Sequence, residues 1–277
     1  MRLGGPVFDD CSTPELWVAA LRRQGYRAAY WSHEFELPED EVQAYVRAAR
    51  AADIMIAEVG AWSNPLSPDE VTRTAAIEKC KRALAVADRV SARCCVNITG
   101  SRGEPWDDPH PANLTEETFD MIVEYVRDII DTVQPQRACY ALETMPWMYP
   151  DSPDSYLRLL AAIDRPQVAV HFDPVNMICS PQRFFDNAAF IRECFAKLGP
   201  RLKSCHAKDI ALASKLTVHL DEVRPGLGGL DYHVFLGELA KLDPDTPLML
   251  EHLPNADEYT HAAAHIRAVA GEIGVSL

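Results

Sequence analysis

The feature that most constrains the fold is an alternation, from end to end, of short apolar runs with longer amphipathic ones. This alternation is typical of parallel strands joined by helical crossovers. Eight strand–helix units predict an α/β fold of one architecture, the closed (β/α)8 TIM barrel. The predicted strands cover residues 3–8, 27–31, 54–59, 94–98, 138–143, 168–173, 202–208 and 248–253.

Signals between the apolar runs support this prediction. An oxygen-bearing side chain followed three residues later by Glu marks a helix start, and the seventh helix is expected to begin near Asp231. Segments leading into strands are short, whereas several segments leaving strands are long, which is typical of the active face of a barrel. The helix-start pattern covers residues 12–15, 67–70, 113–116 and 255–258, and the long segments cover 60–66, 99–112 and 211–229.

The length of 277 residues fits one barrel, which takes about 250 residues, and residues 1–277 are expected to form a single domain. No apolar run reaches the roughly 18 residues that a membrane span requires. Asp9 and Asp10 interrupt the start where a signal peptide would be apolar, so we expect a cytoplasmic protein. The eight cysteines include no CxxC pair and lie mostly in apolar stretches, which predicts reduced core thiols.

The formal net charge of −14 opposes binding to polyanions. Contacts to phosphates need clustered Lys and Arg, and the basic residues form no extended cluster. Nucleic acids and anionic membranes are therefore not expected as partners. A small phosphorylated substrate held by one Arg and a few backbone amides stays open.

Four predicted strands, the fifth to the eighth, end on polar residues. Because side chains alternate across a strand, the apolar residue before each of them is expected to face the helices while the polar residue faces the barrel axis. The four side chains should then converge at the mouth of the barrel. They are Glu143, Asp173, His206 and Glu251.

Three carboxylates and an imidazole in one place would repel one another unless a cation lay among them. Each residue alone is commonly a helix cap, an ion-pair member or a packed imidazole, but four at successive strand ends favour a shared metal site. The oxygen-rich donor set suits one divalent ion, Mn²⁺ first, with Mg²⁺, Co²⁺, Fe²⁺ and Zn²⁺ also compatible.

These motifs resemble those of the sugar phosphate isomerase and epimerase superfamily of xylose isomerase-like barrels. The matching pieces are Glu143, residues 173–176 (DPVN), residues 206–209 (HAKD), residues 224–228 (RPGLG) and Glu251. The resemblance implies that Glu143, Asp173, His206 and Glu251 bind one divalent metal. It also implies that Glu143 and Glu251 act as acid and base on opposite faces of the substrate carbon, with the metal stabilising the enediolate.

Further residues near the strand ends are candidates for binding substrate. Arg224 lies where the resembling epimerases place an Arg that contacts substrate or a catalytic Glu, and Lys208 shares the inward parity of His206. His171 is expected beneath Asp173, either supporting a ligand or packed in the core. The other pocket candidates are His33, Glu58, Trp62 and Asn97, with Trp106 and Trp147 as further apolar walls.

The first functional hypothesis is a metal-dependent sugar or sugar-phosphate isomerase or epimerase. Ketose 3-epimerases often carry His three residues after the strand-six Asp, whereas this chain has Asn176, so no particular epimerase is indicated. A lyase that dehydrates a keto-inositol or keto-acid on the same metal site is the alternative. An endonuclease IV-like phosphodiesterase is disfavoured by the net charge. The resemblance also implies a homo-oligomer, a dimer or a tetramer.

Overall fold

The computed structural model describes residues 1–277 and contains a closed barrel of eight parallel strands. All eight predicted barrel strands are confirmed, with ends that shift by up to four residues. Each barrel strand lies beside the next one in the chain, and the last barrel strand pairs with the first to close the barrel. The bounds are β1 Arg2–Gly4, β2 Ala28–Tyr30, β3 Met55–Gly60, β4 Cys94–Asn97, β5 Cys139–Glu143, β6 Val168–Phe172, β7 Leu202–Ala207 and β10 Pro247–Leu250.

Helices connect the strands and pack around the barrel, so that the main apolar core lies between the helical ring and the strands. The predicted (β/α)8 TIM-barrel class is therefore confirmed. None of these helices combines the length and the apolarity needed to cross a bilayer. The helices are α1 Pro14–Arg23, α2 Glu39–Ala51, α3 Glu70–Val90, α4 Glu116–Val133, α5 Pro153–Ile163, α6 Pro174–Met177, α7 Pro181–Phe185, α8 Asn187–Leu198, α9 Tyr232–Leu239 and α10 Ala256–Ile273.

The helix starts follow the capping rules, but often one or two residues later than the sequence pattern places them. Asn255 caps α10 and Asp231 caps α9, as predicted. In three other helices, the cap is the oxygen-bearing residue directly before the first helical residue, because only its side chain reaches the free amides of the first turn. These caps are Thr13 in place of Ser12, Asp69 in place of Ser67, and Thr115 in place of Asn113.

An antiparallel hairpin in the long segment after β7 was not predicted from the sequence. Its strands are β8 Asp209–Leu212 and β9 Leu220–Val223. The hairpin begins two residues after β7 ends, on the face of the barrel that carries the long loops. It therefore adds a wall to the mouth formed by the strand ends.

The Asp209 carboxylate fixes the base of this hairpin and the glycine-rich loop that follows it. Oδ2 accepts hydrogen bonds from the amides of Gly226 (2.9 Å) and Gly228 (3.0 Å). Oδ1 accepts from the amides of Ile210 (2.8 Å) and Leu230 (2.9 Å). Asp209 is buried, so its charge is compensated by the four amide donors that surround it.

Replacing Asp209 by Ala should destabilise the protein. Hydrogen bonds to a charged group are worth about 1.5–3 kcal/mol each, and unpaired amides partly regain water when the loop loosens, so we expect a loss of about 3 kcal/mol. Urea unfolding of Asp209→Ala measures it. The exposed hairpin residue Asp221, replaced by Ala, is the control and should leave stability within about 0.5 kcal/mol of the original. Equal midpoints for both variants would contradict this role of Asp209.

Candidate metal centre

The barrel brings together the four polar residues at the ends of its last four strands. Glu143 is the last residue of β5, Asp173 directly follows β6, His206 lies one residue before the end of β7, and Glu251 directly follows β10. One donor atom from each residue lies within 4.8 Å of every other. This is a cluster that could hold a metal ion.

The imidazole of His206 lies at the centre of the cluster. Its Nδ1 is 2.8 Å from Oε1 of Glu251, 3.0 Å from Oε1 of Glu143 and 3.9 Å from Oδ2 of Asp173. The other oxygen of Asp173, Oδ1, accepts the amides of Val175 and Asn176 at the start of α6. Asp173 is thereby fixed with Oδ2 directed into the cluster.

The donor set fits a divalent cation. Asp173 Oδ2 and Glu251 Oε1 are buried and receive no hydrogen bond of suitable geometry. Lys208 Nζ lies 2.9 Å and 2.6 Å from these atoms, so its ammonium group forms ion pairs with both. Carboxylate oxygens that converge on one buried point are the donors that a hard divalent ion prefers.

Charge pairing holds the cluster together electrostatically. Burial alone would lower the pKa of His206, but Glu251, Glu143 and Glu58 raise it well above its usual value. Burial also opposes the charged form of Lys208, yet the surrounding carboxylates raise its pKa well above the usual value. For Glu251, burial raises the pKa, and the opposing charges of His206 and Lys208 lower it overall.

Glu58 lies beneath the cluster, not in the wall of the pocket where the sequence placed it. It is fully buried, with Oε2 3.4 Å from Nε2 of His206 and Oε1 3.0 Å from Nε2 of His171. The hydroxyl of Ser204 donates to the same Oε1. Burial raises the pKa of Glu58, but the two histidines lower it to about 2. A carboxylate facing Nε2 favours the proton on that nitrogen and leaves Nδ1 of His206 to face the cluster.

A cavity of about 450 Å³ opens above the cluster at the C-terminal ends of the strands. Four of the predicted site residues line it, whereas Asp173 and His206 lie below its floor, fully buried. Trp106, an expected apolar wall, also lines the cavity, and Trp147 does not. The four lining residues are Glu143, Glu251, Lys208 and Trp62.

Three predicted pocket residues lie elsewhere. Asn97 is fully buried and supports the β3 loop, because its side chain exchanges hydrogen bonds with the backbone of Ser63. His33 packs among aromatic rings, 4.0 Å from the ring centre of Tyr45. Arg224 lies outside the cavity and pairs with Glu258, Nε to Oε2 2.8 Å.

Several cavity residues were not identified as site residues from the sequence. Asn176 Nδ2 donates to Glu143 Oε1 (3.3 Å), and so positions a ligand. Glu222 on β9 lies 3.5 Å from Lys208 Nζ, and it was missed because the hairpin was missed. His252 lies 3.3 Å from Glu222, with a backbone φ of 56° directly after Glu251. A left-handed His next to a strand-end Glu has no signature in a single sequence.

Comparison with known proteins agrees with this fold. A family model described as a xylose isomerase-like TIM barrel matches residues 18–269. No curated protein matches the sequence.

Several solved structures share the fold at low sequence identity. Endonuclease IV from Thermus thermophilus aligns with a TM-score of 0.76 and 15% identity, over 98% of this chain and 100% of that one. D-Psicose 3-epimerase from Clostridium cellulolyticum, solved with D-tagatose, gives 0.70 and 12% over all of both chains. The probable 3-DHS dehydratase from Bacillus anthracis gives 0.69 and 16% over 92% of each chain. Identities this low show the fold alone.

Replacing Glu58 by Gln should weaken metal binding without removing any of the four donors. Loss of a partner behind a ligating His typically costs about 10–100-fold in metal affinity, and we expect a loss of this size for Mn²⁺. Titration of the apoprotein with Mn²⁺ measures it. The exposed Glu34, replaced by Gln, is the matched control. Unchanged affinity in Glu58→Gln would rule out this supporting role.

Proposed function

Because the chain belongs to the xylose isomerase-like TIM barrel family, we propose that it is a metal-dependent isomerase or epimerase. The substrate would be a sugar or a related hydroxy-carbonyl compound, bound in the cavity above the cluster of Glu143, Asp173, His206 and Glu251. The reaction would move a proton at the carbon next to a carbonyl group.

The observation that carries this proposal is the unequal exposure of the four cluster residues. Asp173 and His206 are fully buried, whereas Glu143 and Glu251 line the cavity. Only the two glutamates can therefore touch a substrate as well as a metal. Two carboxylates that reach one cavity are the minimum needed to remove a proton from a carbon and return one.

The four residues would hold one divalent ion, and their three carboxylates and single imidazole favour Mn²⁺, with Mg²⁺, Co²⁺, Fe²⁺ or Zn²⁺ as alternatives. When bound, the ion supplies Lewis-acid stabilisation of negative charge on a carbonyl oxygen. Asp173, fixed by two backbone amides, and His206, supported by Glu58, would keep the site in place during the reaction.

The two glutamates would divide the proton transfer. One carboxylate accepts the proton from the carbon, and the electron pair of the broken C–H bond moves toward the carbonyl group. The other glutamate, protonated, returns a proton to the opposite face in an epimerisation, and the roles exchange in the reverse direction. Asn176, which donates to Glu143, would orient one of the two carboxylates.

A lyase on the same residues is the second candidate, because a probable 3-DHS dehydratase shares this fold and removal of a proton next to a carbonyl group can also precede loss of water. The net charge of −14 opposes an endonuclease-like activity, since a DNA backbone requires a basic surface.

Replacing Glu143 or Glu251 by Gln should strongly slow proton transfer while an amide oxygen remains near the metal. General acid–base catalysis contributes about 10²–10⁴-fold, and we expect each variant to lose activity in this range. NMR in D₂O with Mn²⁺ and a panel of ketoses and ketose phosphates measures deuterium exchange at carbon. Glu34→Gln is the control. Intact turnover in either site variant would refute the proposed roles.

The same NMR experiment separates the two candidate functions. Exchange of deuterium without loss of water supports the isomerase or epimerase. A product that lacks one water molecule supports the lyase instead.

A further inference from the structure

The loops above the barrel indicate whether the substrate of this cavity carries a charge. We propose that the cavity accepts an uncharged, unphosphorylated sugar, with an apolar face of that sugar packed on Trp62. This inference rests on the proposed function, because it specifies the substrate of the same site. It follows from the absence of a free anion-binding element at the mouth and from the way Trp62 is held.

Phosphate groups in barrels of this type often bind at the loops after the seventh and eighth strands and at a helix N-terminus nearby. In this chain, the glycine-rich loop after the seventh barrel strand has its amides turned inward. The amides of Gly226, Gly228 and Leu230 all donate to the carboxylate of Asp209. These amides are therefore engaged by a carboxylate of the chain itself and are not free to bind an anion.

The helix after the eighth barrel strand is also satisfied internally. The side chain of Asn255 accepts the amide of Glu258 at the start of α10. Glu258 in turn pairs with Arg224, the one arginine that the sequence predicted at the mouth. The guanidinium and one amide of the helix terminus are therefore engaged within the protein.

The lining of the cavity has the wrong charge for a phosphate ester. It contains no arginine, and its acidic residues include Glu222 and Asp107 in addition to the two cluster glutamates. Its lysine, Lys208, lies among the cluster carboxylates, and His252 faces Glu222. A divalent ion and Lys208 together would balance the three cluster carboxylates and leave no positive charge for a dianion.

Trp62 forms an anchored apolar wall of this cavity although its side chain is 37% exposed. Its indole folds back over Gly60, where an added Cβ would lie 2.2 Å from the indole Nε1. The backbone oxygen of Trp62 accepts a hydrogen bond from Lys79 (3.0 Å). The next residue, Ser63, is held through its backbone by Asn97.

The pyrrole edge of the Trp62 ring lies against Gly60 and the residue lines the cavity, so the ring offers the cavity an aromatic surface. Such a surface favours a ligand with an apolar face and polar edges, because the face loses water and the edges bind polar groups. The C–H face of a sugar has this character. Trp106, 36% exposed on the loop after β4, extends the apolar lining.

Binding by the manganese-loaded protein tests the proposal. Calorimetric titration compares D-fructose, D-tagatose and L-ribulose with the terminal phosphate ester of each, while NMR in D₂O follows carbon exchange for the same compounds. We expect at least one free ketose to bind about tenfold more tightly than its ester. We expect Trp62→Ala to weaken that binding by about tenfold or more, since tryptophans dominate binding energies.

Two further variants keep the test interpretable. Trp62→Phe retains an aromatic face and should recover part of the affinity if Trp62→Ala loses it. Phe185→Ala removes an exposed ring of α7 outside the cavity and should bind as the original protein does.

The proposal is overturned if a phosphate ester binds as tightly as its free ketose, if Trp62→Ala binds normally, or if no free ketose binds. Its failure differs from that of the proposed function. Carbon exchange in a phosphate ester with none in the free ketose refutes this proposal and supports the isomerase. Tight binding of a free ketose without exchange or water loss supports this proposal and refutes the isomerase.

Discussion

The convergence of three carboxylates on one buried point is the constraint on which the upper end of the barrel depends. Glu143, Asp173 and Glu251 come from three different strand ends, and their mutual repulsion would separate those ends without compensation. His206 and Lys208 supply opposite charge at distances of 2.6–3.9 Å from these carboxylates. A bound divalent ion would add to a balance that the fold already provides in part.

A second layer of polar residues makes this arrangement rigid. Glu58 faces Nε2 of the His206 ring, and His171 and Ser204 contact the other carboxylate oxygen of Glu58. All three side chains are fully buried, and removing such polar groups from water costs free energy. The fold tolerates this desolvation because each side chain has a hydrogen-bond partner. This layer draws Glu58 from β3, His171 from β6 and Ser204 from β7, so three strands support the side of the cluster that faces the barrel interior.

Sequence periodicity predicted the barrel and the convergence of the four strand-end residues, because strand parity and parallel order determine which side chains meet at one rim. The alternation of side chains along a strand tells which ones face the barrel axis, but not how deep along that axis each one lies. Glu58 lies two residues before the end of β3, so it lies under the site although its position resembled that of a pocket residue. The hairpin carrying Glu222 and the ion pair of Arg224 depend on long-range hydrogen bonds, which no local pattern records.

Asp209 links the stability of the hairpin to the proposed preference for an uncharged substrate. The carboxylate that stabilises the hairpin base also consumes the amides of the glycine-rich loop. A phosphate could use those amides only if Asp209 left them, and the hairpin would then lose its anchor together with the wall that carries Glu222. Since the loop cannot satisfy both partners, a variant designed to bind a phosphate ester at this loop would require a new base for the hairpin as well as a new basic residue at the mouth.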